Sequence, residues 1–188
     1  MLPVHACNYN NIYNKNYKKG ANSMKNQLLL ILSTVLLLSS TPPAVADEAA
    51  DREAIHALLW KYTRALDTLD ADAYAAVFTE DGAFKSGSTS LTTGHAALSA
   101  MIVGVKKGQD DRAAAGNPAG AMYHMTMDSW IEFVDADHAR HHSYWQTVFG
   151  PAKSGESPRM AAAGRGIDDL VRVNGQWLIK LRDVAPQD

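Results

Sequence analysis

The sequence predicts an α+β domain in which three N-terminal helices pack on a curved sheet, mixed or antiparallel, and enclose a pocket. Apolar residues recur at helical spacing in its first half, and four long runs rich in β-branched and aromatic residues fill its second half. Helices that precede the strands, rather than alternate with them, favour the α+β class. A curved sheet covered on one face leaves a cavity between the two layers.

The first 46 residues read as a removable leader. They lack Asp and Glu, and lysines precede an apolar run, 28–38, that is followed by Ala44-Val45-Ala46. A basic segment, a short apolar core and an A-x-A site form a secretory signal, and the run is too short to span a bilayer. Met24 fits the natural start of this signal, so we interpret residues 1–23 as an over-extended start and 24–46 as the signal. We expect residues 47–188 to form one domain that is periplasmic or secreted, with no membrane contact after cleavage.

The charge of this domain argues against nucleic acid as a partner. All 20 acidic residues follow position 46, whereas four of the 18 basic residues precede it, so the domain is more acidic than the whole chain with its net charge of −2. Binding to phosphate backbones needs a basic face. The single cysteine, Cys7, lies in the leader, so the domain needs no disulfide framework.

The first two helices are predicted from an apolar stripe and a capping residue. A helix over about 49–66 carries apolar residues at positions i, i+3, i+4, i+7 and i+11, namely Ile55, Leu58, Leu59, Tyr62 and Leu66. A short second helix follows Asp70, whose side chain can cap it. Asp81-Gly82 then predicts a turn.

A small hairpin and a third helix are predicted next. Segments 83–86 and 90–93 read as two short strands around Gly87, and the third helix covers about 95–107. Residues 108–120 are rich in Gly, Ala and Asp and contain Pro118, which is typical of a loop.

Four strands complete the domain and are expected to pair as an antiparallel meander. They cover residues 122–134, 139–149, 160–173 and 177–184. Alternate residues of a strand share one face. One face of the first strand is thus expected to carry His124, Thr126, Asp128 and Trp130. Because small Ala139 suits a crowded cavity, the inward face of the second strand is expected to carry His141, Ser143 and Trp145, with His142 and Tyr144 facing outward.

Several short motifs in this order resemble one known family. They are Tyr62-x-x-x-Leu66-Asp67-x-x-Asp70, Val77-Phe78-Thr79-Glu80-Asp81-Gly82, Gly94-His95, Tyr123-His124-Met125-Thr126, Ala139 to Tyr144-Trp145, Asp168-x-Leu170-Val171-Arg172, Gly175-Gln176-Trp177 and Arg182. Together they resemble the SnoaL-like family of the nuclear-transport-factor-2-like superfamily, which has a cone-shaped fold. The nearest resemblance in motif is to scytalone dehydratase and bile-acid 7α-dehydratase. The resemblance implies a homodimer, a small hydrophobic ligand and no cofactor.

The resemblance implies three catalytic residues. His124 stands where the dehydratases keep a catalytic histidine, and an imidazole can take and return a proton near neutral pH. Tyr62 and Asp67 have the spacing of the dehydratases' catalytic Tyr and Asp, so Tyr62 would act as a donor and Asp67 would orient His124. The alternative is structural: Tyr62 as a core aromatic, Asp67 as a cap of the following turn, and His124 as a core or rim histidine.

Further residues are expected to bind the substrate. His141 takes the place of a second pocket histidine by resemblance, although an exposed histidine at a sheet edge is an equal alternative. Asp168 and Arg182 match polar positions of the family's later strands, and a purely structural ion pair between them is the alternative. The apolar lining is expected from the aromatic and methionine side chains Trp60, Trp130, Trp145, Met125 and Met127, with Ser143 beside them.

The sequence disfavours an isomerase reaction and a metal site. Ketosteroid isomerase keeps a carboxylate base on the first strand, where this chain has Ser86, and a hydroxyl cannot shuttle a proton as a carboxylate does. Metal binding is also disfavoured, because the adjacent His141 and His142 point to opposite faces of their strand and cannot chelate one ion together.

These residues lead to one functional hypothesis and one rival. The hypothesis is a cofactor-independent lyase, dehydratase-like, that acts on a hydrophobic hydroxylated ring compound by proton transfer through His124 and Asp67. The rival is a non-catalytic exported domain that binds an apolar ligand or supports a partner enzyme. The distance between Asp67 and His124 discriminates the two, because proton transfer requires these side chains to meet inside the cavity.

Overall fold

The computed structural model describes residues 43–88 and 90–186. The predicted leader, apart from residues 43–46, lies outside the described residues. Within the described ranges, none of the helices has the length and apolar character needed to cross a membrane.

Three helices cover one face of the domain, as predicted. They are α1 (Pro43–Thr68), α2 (Ala71–Ala76) and α3 (His95–Ala114). The prediction of Asp70 as the N-cap of α2 is confirmed, because its Oδ1 accepts a hydrogen bond of 3.0 Å from the backbone N–H of Ala73.

Helix α3 runs further than predicted and includes residues 108–114, which were expected to be a loop. Lys106 pairs with Asp110 at 2.9 Å and Lys107 with Asp111 at 2.6 Å. Lys and Asp four residues apart lie on one helix face and support its formation, which offsets part of the cost of Gly108.

Six strands form one mixed sheet in the order β2-β1-β6-β5-β4-β3. They are β1 (Phe78–Ser86), β2 (Ser90–Thr93), β3 (Met122–Phe133), β4 (His138–Phe149), β5 (Arg159–Val173) and β6 (Gln176–Asp183). The predicted meander from β3 to β6 is antiparallel throughout, and only the contact between β1 and β6 is parallel. The α+β prediction is therefore confirmed.

The turn predicted at Asp81-Gly82 is wrong, since both residues lie inside β1. Gly82 is required there by close packing rather than by a turn. A Cβ at this position would lie 2.9 Å from the carbonyl oxygen of Ile179 and 2.9 Å from the Cβ of Phe78. The glycine lets β1 approach β6 closely, and the register of the two strands shifts between Phe78 and Ala83.

A β-bulge in β3 overturns the predicted side-chain alternation along this strand. Met127 pairs with Tyr144 and Trp130 with His142, so β3 holds one extra residue between the two pairs. Asp128 adopts a left-handed conformation there, with φ of 49°. The extra residue turns Ile131 inward, where it is 3% exposed, and leaves Trp130 outward at 58%.

The hydrophobic core lies between the helices and the sheet. Its fully buried members come from every layer: Ile55, Tyr74, Phe78, Leu98, Ile102, Leu170 and Ile179. The core fixes α1 across the sheet, so the last turns of this helix hold Tyr62 and Asp67 beside β3 and β6.

Candidate active site

A cavity of about 200 Å³ opens between the end of α1 and the concave face of the sheet. Four residues predicted to be functional line it, namely Tyr62, His124, Trp145 and Arg182. Its other lining residues are mainly apolar or hydroxylated: Thr63, Leu66, Phe84, Met125, Thr126, Thr147, Ala162 and Val184. An apolar pocket with a few convergent polar groups is typical of a small-molecule site.

Asp67 and His124 form the predicted contact. Asp67 Oδ1 lies 2.8 Å from His124 Nδ1, and the same oxygen accepts a hydrogen bond of 2.9 Å from the backbone N–H of His124. The Asp67 side chain is only 8% exposed, and that of His124 is 21% exposed. The two residues thus meet behind the cavity wall, with His124 on the side that faces the cavity.

This contact determines which nitrogen of His124 is free to react. An ionised carboxylate only accepts hydrogen bonds, so Nδ1 of the neutral imidazole carries the proton and donates to Asp67. The other nitrogen, Nε2, then holds a lone pair, and none of the described residues donates a hydrogen bond to it. A carboxylate on one side and a free nitrogen on the other is the arrangement of a general base.

Tyr62 joins the cavity to a buried cationic group. The guanidinium carbon of Arg182 lies 4.3 Å from the centre of the Tyr62 ring. The ring also packs against Tyr74 and Phe78, with centroid distances of 5.3 and 6.1 Å. Tyr62 is therefore held rigidly by aromatic neighbours while it contributes to the cavity wall.

The charge of Arg182 is firmly maintained despite its burial. Burial by itself opposes the charged form, but the carboxylate of Asp168 and the neighbouring phenols outweigh it and raise the pKa of Arg182 above its ordinary value. Nη1 of Arg182 donates to both oxygens of Asp168, at 2.8 and 2.7 Å. The ion pair that was the alternative role of these two residues is therefore formed, and Arg182 also lines the cavity.

His141 belongs to the same buried network. It is fully buried, its Nδ1 lies 2.8 Å from Asp168 Oδ2, and its Nε2 lies 2.8 Å from Ser129 Oγ. The alternative of an exposed edge histidine is wrong. His141 does not line the cavity but contacts Asp168, which in turn binds Arg182 of the cavity wall. The bulge in β3 turns the Ser129 side chain toward His141.

Trp145 forms one wall of the cavity through a close approach to β5. Its Nε1 donates to the carbonyl oxygens of Arg165 at 2.9 Å and Val184 at 3.0 Å. Gly164 lies directly beneath the indole, and a Cβ there would come within 2.8 Å of the ring. The predicted inward position of Ser143 is also observed, but Ser143 is buried beside Gly166 and is not part of the cavity lining.

Several residues expected in the lining lie elsewhere. Trp130 is on the outer face of the sheet and stacks on His142 with ring centroids 4.9 Å apart. Trp60 is 67% exposed because it lies on the outer face of α1, and Met127 also lies outside the cavity. Met125 does line the cavity, but 42% of its surface remains exposed.

The neighbouring histidines of β4 have separate acidic partners. His138 contacts Asp135 at 2.8 Å, His141 contacts Asp168, and His142 lies 3.7 Å from Glu132. Within the described ranges, no group of three or more His, Cys, Asp or Glu side chains is placed to hold a metal ion.

Comparison with known proteins establishes the family. A model of the SnoaL-like domain matches residues 47–183, which is most of the chain. The chain belongs to the SnoaL-like family. Members of this family include polyketide cyclases and dehydratases and bind small hydrophobic ligands. No curated protein matches the chain closely enough to count as a relative.

Solved structures share the fold of this SnoaL-like domain. A protein of unknown function from Mycobacterium tuberculosis is 26% identical, covers 79% of this chain and 78% of its own, and has a TM-score of 0.62. A protein provisionally named a scytalone dehydratase, from Novosphingobium aromaticivorans, is 22% identical over 74% of this chain and 85% of its own, with a TM-score of 0.60. A nuclear-transport-factor-2-like protein with a cystatin-like fold, from the same organism, is 22% identical over 81% and 92%, with a TM-score of 0.63.

The sequence did not reveal most of the apolar lining. Thr147 could have been found by continuing the alternation two residues beyond Trp145. Leu66 belongs to the apolar stripe of the first helix, which predicts a core position. Phe84 lies on β1, which reaches the cavity only through its parallel pairing with β6. No local pattern marks Ala162 or Val184, because their place in the wall depends on how β5 and β6 curve.

Proposed function

We propose that this SnoaL-like domain is a dehydratase-type lyase that removes water from a hydroxylated, largely apolar ring compound without a cofactor. The observation that carries the proposal is the contact between Asp67 Oδ1 and His124 Nδ1 at 2.8 Å, beside a cavity. This contact leaves His124 Nε2 free to accept a proton from a bound substrate.

The proposed reaction uses one base and one acid. His124 Nε2 takes a proton from a substrate carbon, and the electrons of that C–H bond form the new carbon–carbon double bond. The neighbouring C–O bond breaks, and the Tyr62 hydroxyl gives its proton to the departing oxygen, so that water leaves. The imidazolium that forms is stabilised by Asp67, and the proton returns to Tyr62 through solvent before the next turnover.

Arg182 supports the acid in this proposal. Its guanidinium group lies 4.3 Å from the Tyr62 ring and keeps its positive charge because Asp168 is bound on the other side. A fixed cation beside the phenol stabilises the negative charge that develops on the Tyr62 oxygen as it gives up its proton. The acid and the base thus have separate electrostatic partners, Arg182 for Tyr62 and Asp67 for His124.

The size and lining of the cavity indicate the kind of substrate. Its volume of about 200 Å³ is below the roughly 300–1,000 Å³ usual for ligand pockets, which favours a compact core of one or two rings. Leu66, Phe84 and Trp145 offer apolar contacts to such a core.

The experiment is a panel of compounds with one or two rings that carry a hydroxyl group on a saturated ring carbon, followed by mass spectrometry for loss of water. We expect at least one compound to be dehydrated by the wild-type protein and Asp67→Asn to lower turnover by roughly a hundredfold or more. Asp72→Asn, which changes a carboxylate on α2 outside the cavity, is the matched control. Equal turnover by Asp67→Asn would overturn the role of Asp67. Binding without turnover across the panel would favour the rival, a non-catalytic ligand-binding domain.

Location and assembly belong to the same proposal. The basic and apolar leader supports an exported protein in the periplasm or outside the cell. The outer face of β3 and β4 supports a homodimer, because it exposes the large apolar side chains Tyr123, Met127, Trp130 and Tyr144. Light scattering of the mature domain tests the dimer, and a Trp130→Lys variant that stays as associated as the wild type would place the interface elsewhere.

A further inference from the structure

A second cavity, of about 460 Å³, lies where the loop after α3 meets the connection from β4 to β5. Arg112 comes from the last turn of α3, Lys153 from the connection and Arg159 from the start of β5. Three cationic side chains from separate elements therefore converge on one hollow.

None of these three cations has an acidic partner among the described residues. The acidic residue in the same wall, Glu156, is engaged by the backbone, because its Oε2 accepts hydrogen bonds of 3.1 Å from the N–H groups of both Ala152 and Lys153. Three cations against this one carboxylate leave the cavity with a net positive charge in a domain that is otherwise acidic. Like charges gathered in a hollow repel one another, and a bound anion relieves that repulsion.

The walls of this basic cavity are firmly held. The Arg159 guanidinium lies over the Phe149 ring, 5.3 Å from its centre. The two loops are joined by a hydrogen bond of 2.8 Å from the Gly150 N–H to the Ala121 carbonyl oxygen. Gly120 and Gly150 are in contact, and a Cβ on Gly120 would fall 1.9 Å from the Gly150 oxygen. The hollow is therefore formed by backbone packing and not only by long surface side chains.

The basic cavity adjoins the candidate active site along β4 and β5. Thr147 lines the active-site cavity, and Phe149, two residues further along the same face of β4, lines the basic cavity. Two residues of a strand span roughly 7 Å. On the neighbouring strand, Ala162 pairs with Thr147 and Arg159 pairs with Phe149, three residues apart because the register of β4 and β5 shifts between Thr147 and Val148.

We propose that the basic cavity binds the acidic group of the same molecule whose ring occupies the active-site cavity. The ligand class is a compact apolar ring that carries a carboxylate, sulfonate or phosphate group at the far end from its reacting carbon. Guanidinium groups suit such anions because they donate two parallel hydrogen bonds to them. The inference rests on the proposed function for the position of the ring, whereas the anion site rests on Arg112, Lys153 and Arg159.

The test compares two probes that differ by one charged group, 2-naphthol and 6-hydroxynaphthalene-2-sulfonate, with binding followed by calorimetry. We expect the wild-type domain to bind the sulfonate at least roughly tenfold more tightly, the effect of one charged hydrogen-bonded contact. Arg112→Gln with Arg159→Gln should abolish this preference and leave 2-naphthol binding unchanged. Lys106→Gln, which removes a nearby cation on α3 that is already paired, should change neither affinity.

Two further arms separate the possible sources of binding. Ala162→Phe fills the active-site cavity and should weaken both probes, whereas inorganic phosphate should compete with the sulfonate alone. Equal affinity of the two probes for the wild type, or a sulfonate preference that survives the double arginine variant, would overturn the inference. Sulfonate binding that Ala162→Phe does not weaken would overturn it as well, because the ring would then lie elsewhere.

Turnover tests the proposed lyase function, whereas the difference in affinity between the two probes tests the anion site. Binding of the two probes is measured without turnover, so it does not depend on proton transfer by His124. A charge-dependent preference in a protein that dehydrates no compound would contradict the lyase proposal and support the anion site.

Discussion

One oxygen of Asp67 accepts two hydrogen bonds from His124, one from its backbone N–H at 2.9 Å and one from its ring at 2.8 Å. The carboxylate therefore fixes both where β3 begins beside α1 and how the imidazole is turned. A single side chain thus joins the helix to the edge strand and orients the imidazole beside the cavity.

The first prediction follows from this double contact. Asp67→Ala removes the acceptor of Nδ1, so the proton of the neutral His124 ring should no longer be held on that nitrogen. We expect ¹⁵N NMR of the imidazole to show the Nδ1–H tautomer in the wild type and a mixture in the variant. Loss of the bond to the backbone should also lower the free energy of unfolding by about 1 kcal/mol.

The control for this variant is Asp72→Ala, which removes an exposed carboxylate from α2. It should leave the His124 spectrum unchanged. The same tautomer in the wild type and in Asp67→Ala would contradict the assigned role of Asp67.

The second prediction concerns the buried ion pair of Asp168 and Arg182. Removal of the carboxylate by Asp168→Ala leaves the Arg182 charge buried without its partner and also removes the acceptor of His141. We expect a loss of roughly 3 to 5 kcal/mol in the free energy of unfolding, measured by urea denaturation. The double variant Asp168→Leu with Arg182→Met should be less destabilised than the single one, because no unpaired charge remains. If the double variant is less stable than Asp168→Ala, then the hydrogen bonds and packing of the pair stabilise the domain by more than the cost of leaving the Arg182 charge unpaired.

The third prediction concerns the packing of Trp145 on Gly164. Gly164→Ala places a methyl group within 2.8 Å of the indole, so the ring must move away from its hydrogen bonds to the carbonyl oxygens of Arg165 and Val184. We expect the free energy of unfolding to fall by roughly 1 to 3 kcal/mol and ligand binding in the cavity to weaken.

The matched control is another glycine-to-alanine change, Gly104→Ala, in the middle of α3. A Cβ at that position meets no other atom within 4 Å, so the change should raise stability by up to about 1 kcal/mol through helix propensity. Equal effects of the two variants would mean that Trp145 is not held against Gly164.

The fourth prediction is a pH dependence that arises from Tyr74. Its phenol is fully buried, and burial, followed by the influence of Tyr62, raises its pKa well above the ordinary value of 10.0. Above about pH 10 the unfolded chain releases this proton and the folded domain does not, so stability should fall as the pH rises. The loss from this group approaches roughly 1.4 kcal/mol per pH unit.

The variant Tyr74→Phe isolates this contribution, because it keeps the ring and removes the ionisable group. We expect urea denaturation at about pH 9 and about pH 11 to show a smaller loss for the variant than for the wild type. Equal losses would mean that Tyr74 ionises in the folded domain as it does in the unfolded chain.

The sequence predicted the helices, the meander and the pair Asp67–His124 because each of these follows from local spacing or from motifs in a fixed order. It failed for Trp130, since one inserted residue reverses the alternation of a strand and leaves no mark in composition. It also failed at Gly82, where the same dipeptide that makes turns elsewhere lies inside β1. The lining from Ala162 and Val184 depends on the curvature of the sheet, which no single segment encodes.

The bulge at Asp128 and Ser129 has a consequence for how β3 can vary. Before it, the inward residues of the strand, His124 and Thr126, line the active-site cavity; after it, Ile131 faces the core. Because of the extra residue, the side-chain alternation of the second half does not follow from that of the first half. Substitutions in the first half can reshape the pocket without shifting the second half, so this edge strand can change its ligand and keep its fold.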